Sequence, residues 1–356
     1  MKTTSLLRAW AAAVLAVAGT GGAHAKDLVL QGMIHDKLMM VDGQTDEIVG
    51  TVKMTGQKIT AITWDPKNLD RVFCVTDWGQ MIERVDLAER KVVGTFRFAS
   101  GDVKVRTLDI EVSPSDSNIL YALSLRQRWL PSEIQDLQPV IYRYDLAAGR
   151  VTDTFEVPRG MTNIFLSKDG TELYAIGRDV HVLDARTGKL VNFLGVAHPT
   201  TTGVDPQIAL NVWKQQEQSD LVIVTVGSQA KANQHLYLGY YTIDLRKKST
   251  ERSMRLVTDI APLYNVFSAT ISPDRKYAYF VMNGLQKIDL EKNRIIASAP
   301  VDKTYYSVNV SSDGTKVDLG GGGDTIRVHE TSELKHIKNL DTPGDAVLTF
   351  LRVQKR

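Results

Sequence analysis

One element recurs seven times along the chain, and this repetition constrains the fold more than any other feature. It is an alternating apolar strand ending in Asp, a short polar turn, and a second alternating strand. The copies begin with Lys37–Asp42 and Ile48–Val52, then Ile82–Asp86 with Val92–Phe96, then Ile141–Asp145 with Val151–Phe155. Val180–Asp184, Tyr241–Asp244 and Leu285–Asp289 continue the series, which ends at Ile326–His329, where His replaces the Asp. Successive markers lie 44, 59, 39, 60, 45 and 40 residues apart, close to the ~40–50-residue period of propeller blades. Between the copies sits a second unit, two strands joined by a Ser-Pro-Asp or Ser-x-Asp-Gly turn, as at Ser167–Gly170, Ser272–Asp274 and Ser312–Gly314. Asp and Gly suit such turns because they tolerate positive φ. Each period therefore supplies four short antiparallel strands. The expected fold is an all-β, seven-bladed β-propeller.

The two ends of the chain complement each other. Ala346–Val353 reads as a strand without a blade, while the first blade, opening at Asp27–Leu30, lacks an inner strand. Pairing the two closes the ring and removes a sheet edge that would otherwise be open to aggregation. Two intervals are long. The first excess is Ser124–Pro139, and the second is divided between His198–Gln207 and Gly227–His235. Insertions in repeat proteins map to loops, often on the binding face. Trp129, Arg126 and Arg128 are therefore candidate interface anchors, since Trp and Arg dominate binding hot spots. The alternative for Trp129 is packing of its own loop onto the blades.

Residues 1–25 read as a secretory signal: Lys2 and Arg8 ahead of an apolar stretch, ending in Ala23-His24-Ala25. The expected mature chain, 26–356, is a single propeller domain in the periplasm, with no membrane span after the signal. The signal contains two of the 43 basic residues and none of the 41 acids, leaving 41 of each. That balance argues against nucleic acid as a partner.

Chemistry of its own is hard to find in the chain. One cysteine excludes an internal disulfide, a Cys-rich metal site and a covalently attached c-type haem. Cys74 alternates into a buried strand position and reads as a small apolar core residue. The histidines fall in separate repeats without ligand-like pairing, and His181 and His329, both in strands, read as hydrogen-bonded structural residues. Trp64, Trp78 and Trp213 stand near strand ends and read as blade packing. Gly320–Asp324 lacks the Gly-Lys-Ser/Thr of a phosphate loop and reads as a blade turn.

Four stretches carry a family resemblance: Ile176–Asp184, Val212–Glu217, Asp289–Asn293 and Thr304–Gly314, the last containing Tyr-Tyr-Ser-Val-Asn-Val. Through them the sequence resembles the β subunit of quinohemoprotein amine dehydrogenase over nearly the whole mature chain. The resemblance implies a three-subunit periplasmic enzyme that oxidatively deaminates primary amines to aldehydes and ammonia. It places a cysteine tryptophylquinone on a small γ subunit and two c-type haems on a cytochrome α subunit, with no cofactor, metal or catalytic residue on this chain. A Cys74–Trp78 quinone is rejected, because residues four apart along a strand are ~13 Å apart. The propeller would bind the small subunit and help to wall a substrate pocket in which a proton leaves carbon shielded from water. Tyr305, Tyr306 and Asn309, at the start of an inner strand, are the candidates for that lining, with ordinary packing as the alternative. Two other functions stay open: a stand-alone secreted binding propeller, and a propeller hydrolase of the lactonase kind, which an acid/His cluster would be needed to support.

Overall fold

The computed structural model describes residues 27–197, 208–209, 214, 218–229, 236–250, 255–256, 266–281, 283–347 and 351–356. The signal read at residues 1–25 and the inserted stretch His198–Gln207 lie outside them. Among the described residues the chain forms seven antiparallel sheets, each built on a four-strand blade, arranged as a β-propeller ring. Blade two, for example, runs Ala61–Asp65, Asn68–Thr76, Met81–Asp86 and Lys91–Phe96 from inner to outer strand. Ring closure is mixed, as the sequence implies. The inner strand of blade one is the C-terminal Leu351–Lys355, antiparallel to Asp27–Gly32 with Val353 opposite Val29. The described part of this strand is Leu351–Lys355, and Ala346 is not in a strand. Ala346 instead packs as a buried loop residue whose N–H donates to Gly323 O at 2.8 Å. The Gly-rich run holding that carbonyl is a turn between blade strands, with Gly321 and Gly323 at φ of 74° and 110°.

The recurring Asp has a local job. Its carboxylate accepts backbone N–H groups of the turn that joins the third strand to the outer one, as Asp42 does from Gln44 and Thr45. Asp145 does the same for Ala147 and Ala148, and Asp289 for Glu291 and Lys292. This Asx geometry starts the turn, and a left-handed residue finishes it. Positive φ recurs four positions after each carboxylate, at Asp46, Arg90, Gly149, Gly188, Lys248, Asn293 and Leu334. In blade seven this spacing identifies Glu330, not His329, as the marker. Glu330 accepts from the N–H groups of Ser332, Glu333 and Lys335, the longer side chain spanning a slightly longer turn. His329 is one residue earlier and points inward, fully buried.

The core lies between blades. Each blade buries one alternating face against its neighbour, as where Val29, Met39 and Val41 of blade one meet Ile326 and Val328 of blade seven. A second cluster joins blades six and seven through Tyr279, Val281, Tyr305 and Val308. Burying such side chains stabilises by about 1.5–3 kcal/mol each. The axial side of the inner strands is polar instead, with Thr63, Asp109, Asn163, Ser268, Ser307 and Asn309 all buried.

Strand alternation sorts the connections. Those joining one blade to the next, and those joining second to third strands, leave from one face, here called upper. Turns joining first to second strands, and third to outer strands, lie on the lower face. Both long inserts therefore spring from upper-face connections.

Candidate functional site

At the lower mouth of the central channel a cavity of about 380 Å³ is lined by Thr63, Glu111, Phe165, Lys214 and Arg352, among others. Lys214 comes from the connection between the first two strands of blade five and crosses to blades three and four. Its Nζ lies 3.3 Å from Asp109 Oδ2, pairs with Glu111 Oε1, and donates to Ile164 O at 2.6 Å. The Phe165 ring centroid is 4.7 Å away. Lys214 and Asp109 are 3% and 1% exposed, so the pair is desolvated as well as close. Burial raises the Asp109 carboxyl above the usual carboxylate range; Lys214 opposes that shift and Glu111 adds to it. Asp109 also accepts the N–H groups of Ile110 and Ile164 at 2.9 and 2.8 Å. Every donor direction of the ammonium is engaged. The triad is a rivet across three blades, not an acid or base free for chemistry. Sequence reasoning missed it, although Asp109-Ile110-Glu111 puts two acids on one face of an inner strand and Lys214 lies in a stretch that carries the family resemblance.

At the upper face the three pocket candidates separate. Tyr305 is fully buried in the seam between blades six and seven, its hydroxyl 3.1 Å from Asp302 Oδ1 and 3.3 Å from Thr325 Oγ1. Burial pushes its phenol pKa up. Asn309 is also fully buried, and its Nδ2 donates to Leu351 O at 2.7 Å, tying the inner strand of blade seven to that of blade one. Only Tyr306 keeps a partly open face, stacked on Phe267 at 5.0 Å with 15° between the rings. Asn309→Ala is expected to lower the denaturation free energy by ~1–2 kcal/mol, the loss of one buried hydrogen bond, in urea unfolding followed by tryptophan fluorescence. An unchanged midpoint would contradict that role for Asn309 in closing the ring.

The first insert is a hairpin. The inner strand of blade three, Val103–Val112, and its partner Ile119–Trp129 run on beyond the blade, and Ile134–Asp136 folds back onto the tip. Trp129 there is 51% exposed, so it does not pack its loop onto the blades. Arg126 donates from Nε and Nη2 to Gln138 O at 3.0 and 2.9 Å, holding the hairpin's return, and Arg128 pairs with Asp102 at 3.4 Å. Arg126, Trp129 and Trp78 line one cleft of about 630 Å³, whereas Arg128 does not reach it. Trp78, in the second-to-third-strand turn of blade two, is 54% exposed and so is not blade packing, unlike the buried Trp64, whose Nε1 donates to Leu69 O at 3.1 Å. Trp213 lies outside the described residues.

Two smaller assignments divide. Cys74 is fully buried in the core of blade two, and burial raises its thiol pKa well above the ordinary value. His329 is a structural histidine, with Nδ1 2.7 Å from Leu334 O. His181 differs: its ring packs edge-on against Phe193 at 5.0 Å, and its buried Nδ1 has no hydrogen-bond partner among the described residues.

No family model and no curated protein matches the chain. Solved structures share its fold. A hydrazine synthase from Kuenenia stuttgartiensis is similar with a TM-score of 0.61 and 15% identity, over 87% of this chain and 90% of that one. A functionally unknown protein from Desulfotomaculum acetoxidans is similar with a TM-score of 0.62 and 11% identity, over 92% of this chain and 99% of that one. At such identities the likeness is one of fold, and it agrees with the seven-bladed ring described above.

Proposed function

We propose that this chain is the propeller subunit of a periplasmic quinohemoprotein amine dehydrogenase, exported by its N-terminal signal. In this reading it docks a small subunit carrying cysteine tryptophylquinone and a di-haem cytochrome c subunit. The assembly would oxidise primary amines to aldehydes and ammonia. The observation that carries the reading is the position of Thr304–Gly314, the stretch with the most specific resemblance. It enters an inner strand from the upper face, with Tyr306 partly open and its neighbours Tyr305 and Asn309 buried beneath. The hydrazine synthase neighbour adds that the fold occurs in an enzyme.

The quinone, when bound, would supply the electron sink. This chain's share is positional. A rigid rim with Tyr306 at its edge would exclude water while a proton leaves the substrate carbon, since proton transfer is favoured in a shielded pocket.

Co-expression with a di-haem cytochrome and a small quinone-bearing protein, followed by purification from the periplasm, tests the assembly. The expected product is one complex with haem absorbance and acceptor reduction dependent on an n-alkylamine. In that complex Tyr306→Ala is expected to raise the KM for the amine about 5-fold, equivalent to ~1 kcal/mol of lost contact, while Tyr305→Phe leaves KM unchanged. A chain that purifies alone, without haem, in the presence of both partners would refute the proposal.

A further inference from the structure

The upper face holds a concentration of unusual features that no blade requirement explains. Among the described residues eleven other than glycine have positive φ. Five sit at the recurring position four after the marker carboxylate, and Asp220 and Arg275 occupy first-to-second-strand turns on the lower face. The remaining four, His35, Lys58, Asp77 and Trp78, lie together on the upper face. Lys58 N–H donates to His35 O at 2.7 Å, and Asp77 N–H to Gln57 O at 2.6 Å, so these four residues form one knot. Left-handed backbone at bulky residues is costly and persists where surrounding structure enforces it, often at functional sites.

What the knot holds up is Trp78. Its indole projects from a left-handed residue and stays half exposed, with Lys58 Nζ 4.0 Å from the ring centroid on one side. Lys58 is 8% exposed and makes no ion pair with any described residue; burial and the nearby Arg106 lower its pKa. On the open side lies the 630 Å³ cleft, with Trp129 across from Trp78. Its floor follows from strand pairing. Lys104 and Arg106 alternate on one face of their strand, opposite Gln127 and Leu125, with Trp129 two residues further on that same face. Lys104, Arg106, Arg126 and Arg159 line the cleft, against one acid, Asp136, whose carboxylate already accepts from Gln127 Nε2 at 2.9 Å. Lys104 and Arg106 are exposed and form no ion pair among the described residues. A fourfold excess of cations stands out in a chain whose mature charges balance. Beside the cleft runs Ile134–Asp136, a sheet-edge strand with all three residues exposed, Ile134 at 59%.

We infer that this cleft is a recognition site for an extended acidic segment of a partner protein, seating an apolar or aromatic side chain between Trp78 and Trp129. Carboxylates of the segment meet Lys104 and Arg106, and its backbone lies along the open edge at Ile134–Asp136, the mode by which extended peptides add to a sheet. Trp and Arg supply the anchoring contacts, as at binding hot spots. The inference does not depend on the amine dehydrogenase reading, because its chemistry lies wholly in the cleft.

The test uses the mature chain and a fluorophore-labelled synthetic peptide of alternating Glu and Phe, read by fluorescence anisotropy. Saturable binding is expected. It should weaken at least tenfold in Lys104→Gln/Arg106→Gln, and again in Trp129→Ala, with melting temperatures unchanged because all three residues are exposed. Binding should also weaken as salt rises, since exposed charges are screened. Three outcomes would overturn the inference: no binding by the native chain, equal binding by the variants, or equal binding of a peptide of alternating Lys and Phe. Binding of a naphthalene sulfonate but not of the Glu/Phe peptide would also overturn it, in favour of a small-molecule site.

Discussion

Lys214→Met is expected to lower the unfolding free energy by about 3–5 kcal/mol, the range for removing one partner of a buried ion pair. The size follows from what stays behind. Asp109 and Glu111 would sit side by side on one strand face without the ammonium, with Asp109 99% shielded and its carboxyl already raised by burial. Two main-chain acceptors, Ile164 O and Ile110 O, lose a donor as well. Methionine keeps the apolar length of the side chain, so the loss measures charge rather than volume. The variant's deficit should shrink as pH falls towards 5. A carboxyl whose folded pKa is raised destabilises only when ionised, so protonating Asp109 relieves the repulsion. Adding Asp109→Asn and Glu111→Gln to Lys214→Met should recover most of the loss, because the charges then vanish together. Urea denaturation of the three proteins at pH 5 and pH 8 measures all of this. A single variant as stable as the native chain at pH 8 would mean that the triad is not desolvated in solution.

The same residues show why part of this molecule was legible in sequence and part was not. The marker Asp and the left-handed residue four later are contacts within one turn, so they repeat with a period that counting reveals. Register then follows from alternation, because one face of each strand is buried against the next blade. Glu330 escaped because a longer side chain does the same job one residue later, which a fixed residue type hides. The C-terminal strand was readable as a strand but not at its start, since burial of Ala346 in a loop gives the same apolar signal as burial in a sheet.

Long-range polar contacts leave no such period. Lys214 finds Asp109 across 105 positions of sequence and Ile164 across 50, and nothing near Lys214 states that it crosses the channel. The pocket candidates met a related difficulty. Tyr305, Tyr306 and Asn309 are close in sequence, yet one is in a seam, one at a rim and one bonded to the closing strand. Strand alternation alone does not separate a residue facing the axis from one whose ring turns under a neighbouring loop. Trp129, Arg126 and Arg128 were legible as candidate interface anchors because an insertion has no packing duty in the repeat. Trp78 was not, since its exposure depends on a backbone conformation that tryptophan rarely adopts.

Asp318→Asn is expected to stabilise the chain at pH 8 by about 4 kcal/mol and to leave it nearly unchanged at pH 4, because each unit of pKa shift is worth ~1.4 kcal/mol. Asp318 sits on the second strand of blade seven, 5% exposed, directly across from Asn309 in the sheet. Its carboxyl pKa is raised to about 7, chiefly by burial and with Asp46 and Asp27 of blade one adding to the shift, while Lys316 opposes it. That lysine is already committed: its Nζ lies 2.7 Å from Asp46 Oδ1 and 3.1 Å from Gly43 O. The sign is therefore opposite to that of a salt-bridged acid. With a folded pKa near 7 and an unfolded value near 3.8, Asp318 imposes nothing below pH 4. Its destabilisation grows as pH rises from 4 to 7 and is constant above that. The charge enters at the seam where the last blade meets the first, beside the blade whose own strand pairing closes the ring. A native chain whose urea midpoint falls between pH 5 and pH 8, beside an Asp318→Asn variant whose midpoint holds steady over that range, would establish that seam as the pH-sensitive joint. Parallel pH profiles for the two proteins would locate the sensitivity elsewhere in the ring.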